Sequence, residues 1–292
     1  LNQALGTLSE LPPLVTSWEI LRLKKYLAEV SVGKRFLIQG GDCAESFDDC
    51  HSGIISNRLK VLIQMSLVII HGCQTPVVRV GRFAGQYAKP RSADMETRDG
   101  QSLPSFRGDI VNQNTFDEAS RIPNPDNMLK AYHYSAMTLN FIRALVDGGF
   151  ADIRHPEYWD IAWVQHSKNA EKFKDLVSKI TESVHFAEVL VGREVNNLSS
   201  VEFFTAHEAL HLHYEQALTR QVPRQTGHFN LGTHFPWIGL RTNQIDSAHV
   251  ELLRGIENPI GVKIGKETES DHLIDLCHTL NPNNEVGKLT LV

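Results

Sequence analysis

What most limits how this chain can fold is a repeated hand-over. A short aliphatic run ends in glycine or a polar side chain, and a helical pattern follows before the next run. Arg35–Gly41 closes on two glycines and is followed at once by Asp42, Cys43, Ala44 and Glu45. Thr75–Gly81 opens into a loop carrying Arg82, Lys89 and Arg91. Between them, 54–71 is apolar on nearly every face and stops at Gly72, as a helix covered on both sides would. The alternation resumes with Val201–Ala206, Phe229–Phe235, Pro259–Ile264 and Lys288–Val292, with helical patterns at about 207–220, 242–255 and 269–280 between them. A crossover helix returns the chain to the same end of a sheet, so strands spaced in this way pair in parallel. Six candidate parallel strands define an α/β fold. The 292 residues suffice for one barrel of roughly 250 residues or for two smaller domains.

Other helices lie outside that alternation. Thr16 and Glu19 form a capping-box pattern ahead of a stripe of Ile20, Leu23, Leu27 and Val30, within an N-terminal extension of residues 1–34. After the second strand, Asn124 and Pro125 open a helix with Leu129, Tyr132, Ala136, Leu139 and Val146 on one face. A further helix runs from about Lys168 to Val191. With no strand signal between the two, residues 150–195 read as an inserted helical segment suited to a partner or an effector.

Charge and composition exclude several classes of protein. With 29 Lys plus Arg against 34 Asp plus Glu, the net charge is -5, the opposite of a nucleic-acid binder's broad basic footprint. The longest apolar run, Val61–Ile70, is interrupted by Gln64 and Ser66, so no membrane span is expected. Cys43, Cys50, Cys73 and Cys277 form no CxxC pair. A reducing compartment is the expectation, the cytoplasm, or a plastid for a plant source. No basic n-region with an apolar h-region opens the sequence. Arg107-Gly108-Asp109 is an adhesion triplet by letters alone, and a cytosolic profile does not suit adhesion.

Within this acidic chain, residues 75–93 hold four cations, Arg79, Arg82, Lys89 and Arg91, and no acid. They sit where a buried strand hands over to a loop, the end at which α/β folds collect their catalytic groups. Guanidinium groups bind phosphate and carboxylate with two parallel donors, so the field asks for an anion. Trp237, Arg241 and Lys263 also lie at strand ends, and a lysine in an apolar strand asks for an anionic partner. Cys43 is open to three readings: metal ligand, nucleophile or buried thiol. His207-Glu208-Ala209-Leu210-His211 matches the HExxH helix of zinc peptidases, a rival reading through His207, Glu208 and His211.

The motifs GGDCAES at 40–46, VGRFAGQYAKPRS at 80–92, FRGDIVN at 106–112, HEAL at 207–210, WIG at 237–239, QIDSAHV at 244–250 and NPIGVKIG at 258–265 together resemble the class II, plant-type 3-deoxy-D-arabino-heptulosonate 7-phosphate (DAHP) synthases. The resemblance implies a (β/α)8 barrel formed as a single domain over 1–292, incomplete at its C-terminal end, with about six strands supplied here. It also implies condensation of phosphoenolpyruvate with erythrose 4-phosphate at the entry to the shikimate pathway. The site it implies has Cys43 as ligand to a divalent metal, manganese first and cobalt as the alternative. Arg82, Arg241 and Lys263 hold phosphoenolpyruvate, with Trp237 beside them and Lys263 as the catalytic group. Lys89, Arg91 and Ser92 hold erythrose 4-phosphate. A homo-oligomer with an aromatic effector is implied too.

The sequence departs from that pattern where the family has Glu-Arg-Thr-Arg after WIG and this chain has Leu240, Arg241, Thr242 and Asn243, and at Gln113, where the family usually has Gly. It ends ahead of the family's next phosphoenolpyruvate arginine and of the His, Glu and Asp that complete the metal site. A longer natural chain is therefore expected, and a catalytically degenerate homologue serving as a binding or structural subunit is the alternative.

Overall fold

A computed structural model describes residues 1–148, 166–191 and 202–292. Two helices, α1 (Asn2–Glu10) and α2 (Ser17–Ser31), precede the first strand. α2 begins as its sequence requires: Glu19 N–H donates to the Thr16 hydroxyl, and Thr16 N–H donates to the Glu19 carboxylate at 2.8 Å. β1 (Phe36–Gly41), α3 (Ser52–Cys73) and β2 (Val77–Arg82) form the first strand–helix–strand unit. A hairpin of β3 (Met95–Arg98) and β4 (Gln101–Pro104) follows, then α4 (Asp126–Asp147), α5 (Ala170–Val191) and β5 (Phe204–Glu208). Next come α6 (Leu212–Leu218), the hairpin β6 (Thr219–Gln221) and β7 (His228–Asn230), β8 (Phe235–Ile238), α7 (Ala248–Arg254), β9 (Ile260–Val262), α8 (Ser270–Leu280) and β10 (Leu289–Leu291). Of the segment 150–195, positions 166–191 are described and hold α5; the rest lies outside the described residues.

Six strands pair in parallel in the order β1-β2-β5-β8-β9-β10. Spatial order follows chain order, the topology of a (β/α)8 barrel with six of its eight strands in place. Three strands sit elsewhere than the sequence suggests. The expected strand Phe229–Phe235 divides: His228–Asn230 pairs antiparallel with β6, and the sheet takes Phe235–Ile238. The buried Asn258 amide enforces the break by donating to Asn230 O at 2.9 Å and Thr233 O at 3.0 Å. The strand expected at Val201–Ala206 runs instead over Phe204–Glu208, and β9 stops at Val262, short of Lys263.

Side-chain alternation gives the sheet two apolar faces. On the inner face, Val78, Val80, Phe204, Ala206, Phe235 and Trp237 enclose Leu23 and Leu27 of α2. On the outer face, Ile38 and Val77 pack under α3 and α4, while Ile238, Ile260 and Val262 pack under α7 and α8. α3 corrects two expectations. At 22 residues and mean hydropathy 1.5 it is long and apolar enough to cross a membrane by length and composition. Here it is the crossover between β1 and β2, and Ser66 is satisfied by donating to Leu62 O at 2.7 Å. It is covered on one side only, since Met65 and Val68 are each 51% exposed.

The inner face predicts its own sensitivity. Leu23 is fully buried, so Leu23→Ala is expected to destabilise the fold by about 2–5 kcal/mol in denaturant unfolding. Trp18→Ala, on the exposed side of the same helix, is expected to stay within about 0.5 kcal/mol of the parent.

Candidate active site

The C-terminal ends of β1 and β2 lie side by side, with Gly41 opposite Arg82. At Gly41 φ is +143°, and a Cβ there would lie 2.5 Å from the Arg82 carbonyl, so only glycine admits this approach. The Arg82 side chain is then fixed three ways. Its Nη2 donates to Cys43 O at 3.0 Å, its Nε donates to Gln86 Oε1 at 3.3 Å, and its guanidinium lies 4.4 Å from the centre of the Trp237 ring. Burial lowers its pKa, though an arginine keeps its charge. Arg82, Trp237 and Lys263 line a cavity of about 250 Å³ with Gln39, Gly40 and Gly41.

A second cavity, about 300 Å³, is lined by Lys89, Arg91, Arg107, Arg241 and His211 among others. Ser92 belongs to its rim, its hydroxyl accepting from Arg241 Nε at 2.8 Å. The cations of 75–93 are not left as the sequence suggests. Glu96 of β3 pairs with Arg91 at 2.6 Å and also with Arg98 and the buried Arg121. Arg79 leaves the group altogether: it alternates out of the inner face, has Glu202 as its charged neighbour, and is lowered to about 10 by burial. The 107–109 triplet folds inward. Arg107 pairs with Asp94, and the Asp109 carboxylate accepts from Phe47 N at 2.8 Å and Ser46 Oγ at 3.0 Å.

Glu208, the last residue of β5, is buried. Burial raises its pKa against the pull of Arg82, Lys263 and Arg241 and a hydrogen bond from Trp237. Gly239 makes room for it, since a Cβ there would meet Glu208 Oε1 at 1.9 Å. Because His207 and Glu208 are consecutive strand residues, they face opposite sides of the sheet. His207 is buried on the outer side, with Nε2 2.8 Å from Glu215 Oε1, and His211 only precedes α6. The HExxH helix that zinc peptidase chemistry needs is therefore absent from this fold. Trp237, expected after a strand, lies within β8. Lys263, expected inside one, is exposed just past β9 and escapes the cost of burial.

The Cys43 thiol is exposed. Among the described residues no three His, Cys, Asp or Glu side chains gather as a metal cluster, so Cys43 by itself does not make a site. Leu240 and Asn243 line a different cavity, of about 640 Å³, with Gly265, Lys266, Glu269 and His272. Gln86 escaped the sequence reading, which also named Glu208 only within HExxH and Glu45 only as a polar group after the first strand. Their roles lie in the register of β5 and in contacts with other loops. Glu45 is buried, and its carboxylate accepts from Ala84, Gly85 and Gln86 N–H at 2.9, 2.9 and 2.7 Å. Burial raises its pKa and those donors oppose the rise.

The topology defines an α/β-barrel protein with a cation-lined candidate site at the C-terminal face of its sheet. The whole chain, residues 1–292, matches the Class-II DAHP synthetase family, and it belongs to that family. It is 45% identical to the phospho-2-dehydro-3-deoxyheptonate aldolase of Neurospora crassa, with 100% of this chain and 63% of that protein covered. It is 43% identical to the protein of the same name from Streptomyces coelicolor, with 100% and 65% covered. The chain thus spans a little under two thirds of the length of these curated relatives.

A lone thiolate does not hold a divalent ion against water, because tight sites need several ligands in a set geometry. The 292-residue chain is expected to retain little or no manganese after dialysis. Stoichiometric metal that disappears in His207→Ala would restore the zinc reading.

Proposed function

We propose that this chain carries the substrate-binding core of a DAHP synthase, which joins phosphoenolpyruvate to erythrose 4-phosphate and releases phosphate. The observation that carries the reading is the gathering of Arg82 and Lys263 on one cavity at the strand ends and of Lys89, Arg91 and Arg241 on a second. Arg82, Lys263 and Arg241 are assigned to the phosphate and carboxylate of phosphoenolpyruvate, stacked beside Trp237. Lys89, Arg91 and Ser92 are assigned to erythrose 4-phosphate, with Arg241 reaching both through its bond to Ser92. Clamping two anions with their reacting carbons adjacent removes much of the entropic barrier to joining them. The enol carbon bonds to the aldehyde carbon while the aldehyde oxygen takes a proton to become a hydroxyl; water then adds at the carbon that bears the phosphate ester, giving a proton back through the base, and the C–O bond to phosphate breaks. Lys263 is the cation placed to stabilise developing charge, and Glu208, raised by burial, is the base for the water that displaces phosphate.

Cys43 is proposed as one ligand of a divalent ion, manganese before cobalt, which would supply Lewis-acid polarisation of the aldehyde. Leu240 and Asn243, which depart from the family pattern, line neither cation-lined cavity, and this favours a working site over a degenerate one. The exposed Phe186, Val189 and Leu190 near the end of α5 support a homo-oligomer contact or an aromatic effector site on the inserted segment.

Calorimetric titration of the complete protein tests these assignments. Lys89→Ala and Arg91→Ala are each expected to weaken sugar-phosphate binding by roughly 1.5–3 kcal/mol, the worth of a charge-assisted contact. Unchanged affinity in both would remove that loop from the site. The acid limb of kcat/KM should follow the raised Glu208 carboxyl: activity rises with pH as it ionises, and the limb is lost in Glu208→Gln. An identical limb in that variant would assign the base elsewhere.

A further inference from the structure

Gln86 is fully buried and uses every polar atom it has. Its Oε1 accepts from Glu208 N at 2.7 Å and from Arg82 Nε at 3.3 Å, and its Nε2 donates to Ala88 O at 2.9 Å. Its backbone N–H donates to Glu45 Oε2 at 2.7 Å, and its carbonyl accepts from Glu45 N at 2.7 Å. One side chain thus touches the end of β2, the end of β5 and the start of the loop that carries Lys89 and Arg91.

We propose that Gln86 is a positioning residue for the condensation, setting the Arg82 guanidinium and the Glu208 strand end against each other. The inference rests on the synthase reading above and extends it to a residue that need not touch substrate. A primary amide is the group this position asks for. Its oxygen has two lone pairs for two donors, and its nitrogen has a proton for the Ala88 carbonyl. A carboxylate would face that carbonyl with no proton to give and would add a negative charge beside Arg82. A thioether would leave the Glu208 N–H and the Ala88 carbonyl without a partner.

The plane of Arg82 is set by Gln86 at Nε, the Cys43 carbonyl at Nη2 and the Trp237 ring beneath. Without the Nε contact the guanidinium can turn about its last bonds, and a fork that binds an anion in two places depends on that plane. Gln86 reaches the other cavity only through the Ala88 carbonyl, and the Lys89 backbone and the Arg91 guanidinium have partners of their own. Lys89 N donates to Arg107 O at 2.8 Å, and Arg91 pairs with Glu96. Loss of Gln86 should therefore act on one substrate far more than on the other. A merely structural role would not make that distinction.

The test uses the complete protein with Gln86→Glu and Gln86→Met, checked for folding by circular dichroism. Phosphoenolpyruvate affinity and kcat are read by calorimetry and steady-state kinetics. The expected result is a loss of kcat/KM for phosphoenolpyruvate of about 100-fold, the scale on which misplacing a clamping group acts, with KM for erythrose 4-phosphate within about 3-fold of the parent. Parent-like kcat and phosphoenolpyruvate affinity in a folded variant would overturn the proposal, as would an equal rise in both KM values. If neither variant folds, Gln86→Asn keeps an amide in the buried slot but draws its oxygen back by one carbon. Full parent activity in that variant would overturn the proposal too. Absence of phosphoenolpyruvate binding in the parent itself would remove the synthase reading and this proposal with it, whereas intact binding in parent and variants alike would sink this proposal alone.

Discussion

The site depends on one buried carboxylate. Glu45 follows β1 in the chain and receives three consecutive backbone N–H groups, 84–86, from the turn that follows β2. Burying a carboxylate is costly unless its lone pairs are filled, and here three donors fill them while Arg58 stands 3.9 Å away. Because β1 and β2 are parallel neighbours, the loops after them emerge side by side, and each would otherwise need water for its backbone groups. Glu45 stitches the two together. The placement of Gln86, and through it the aim of Arg82, follows from that stitch.

The core and the site share one face of the sheet. Along β8, Phe235 packs in the same inner cluster as Leu23 and Leu27 of α2, and two residues later Trp237 carries the guanidinium of Arg82. Trp237 is both the last layer of the core and the floor of the cavity that Arg82 lines. Its 4% exposure follows from being covered from both directions. α2 fills the inner face toward the start of the strands, which leaves their C-terminal ends to charged groups. The geometry needed for binding is therefore anchored in rigid packing rather than in the loops alone.

Charge is balanced locally rather than left free. Arg91 has Glu96 and Arg107 has Asp94, while Arg82, Lys263 and Arg241 act on the buried Glu208 only through their field, which opposes the rise that burial gives its pKa. Leu240 and Asn243, which replace an acid and a base of the family pattern, line a separate cavity, away from the Arg91–Glu96 and Arg107–Asp94 pairs.

Much of this was legible in the residues. The alternation of apolar runs and helical patterns required parallel strands, the glycine-terminated runs marked where they end, and the cations at 82, 89 and 91 lie at those ends and line the cavities there. Local chemistry determines those features: strand and helix periods are set by the backbone, and a cluster of cations cannot be buried without an anion. The capping box at Thr16 and Glu19 formed as written, because all its partners lie within four residues. What the sequence misplaced depended on distant partners. β5 ended two residues later than expected and took His207 and Glu208 into the strand, where the outer face pairs His207 with Glu215. The run 229–235 broke in two because Asn258, 28 residues on from Asn230, claimed its carbonyls. Arg79 left the cation cluster through side-chain alternation, and Glu96 joined it through a hairpin. Gln86 reads as one more polar residue until the fold brings Arg82, Glu208 and Ala88 around it. The sequence by itself determined the periods, the caps and the sign of the charge at the strand ends. Tertiary structure decided register and hydrogen-bond partners, because these depend on groups that meet only after the strands have paired.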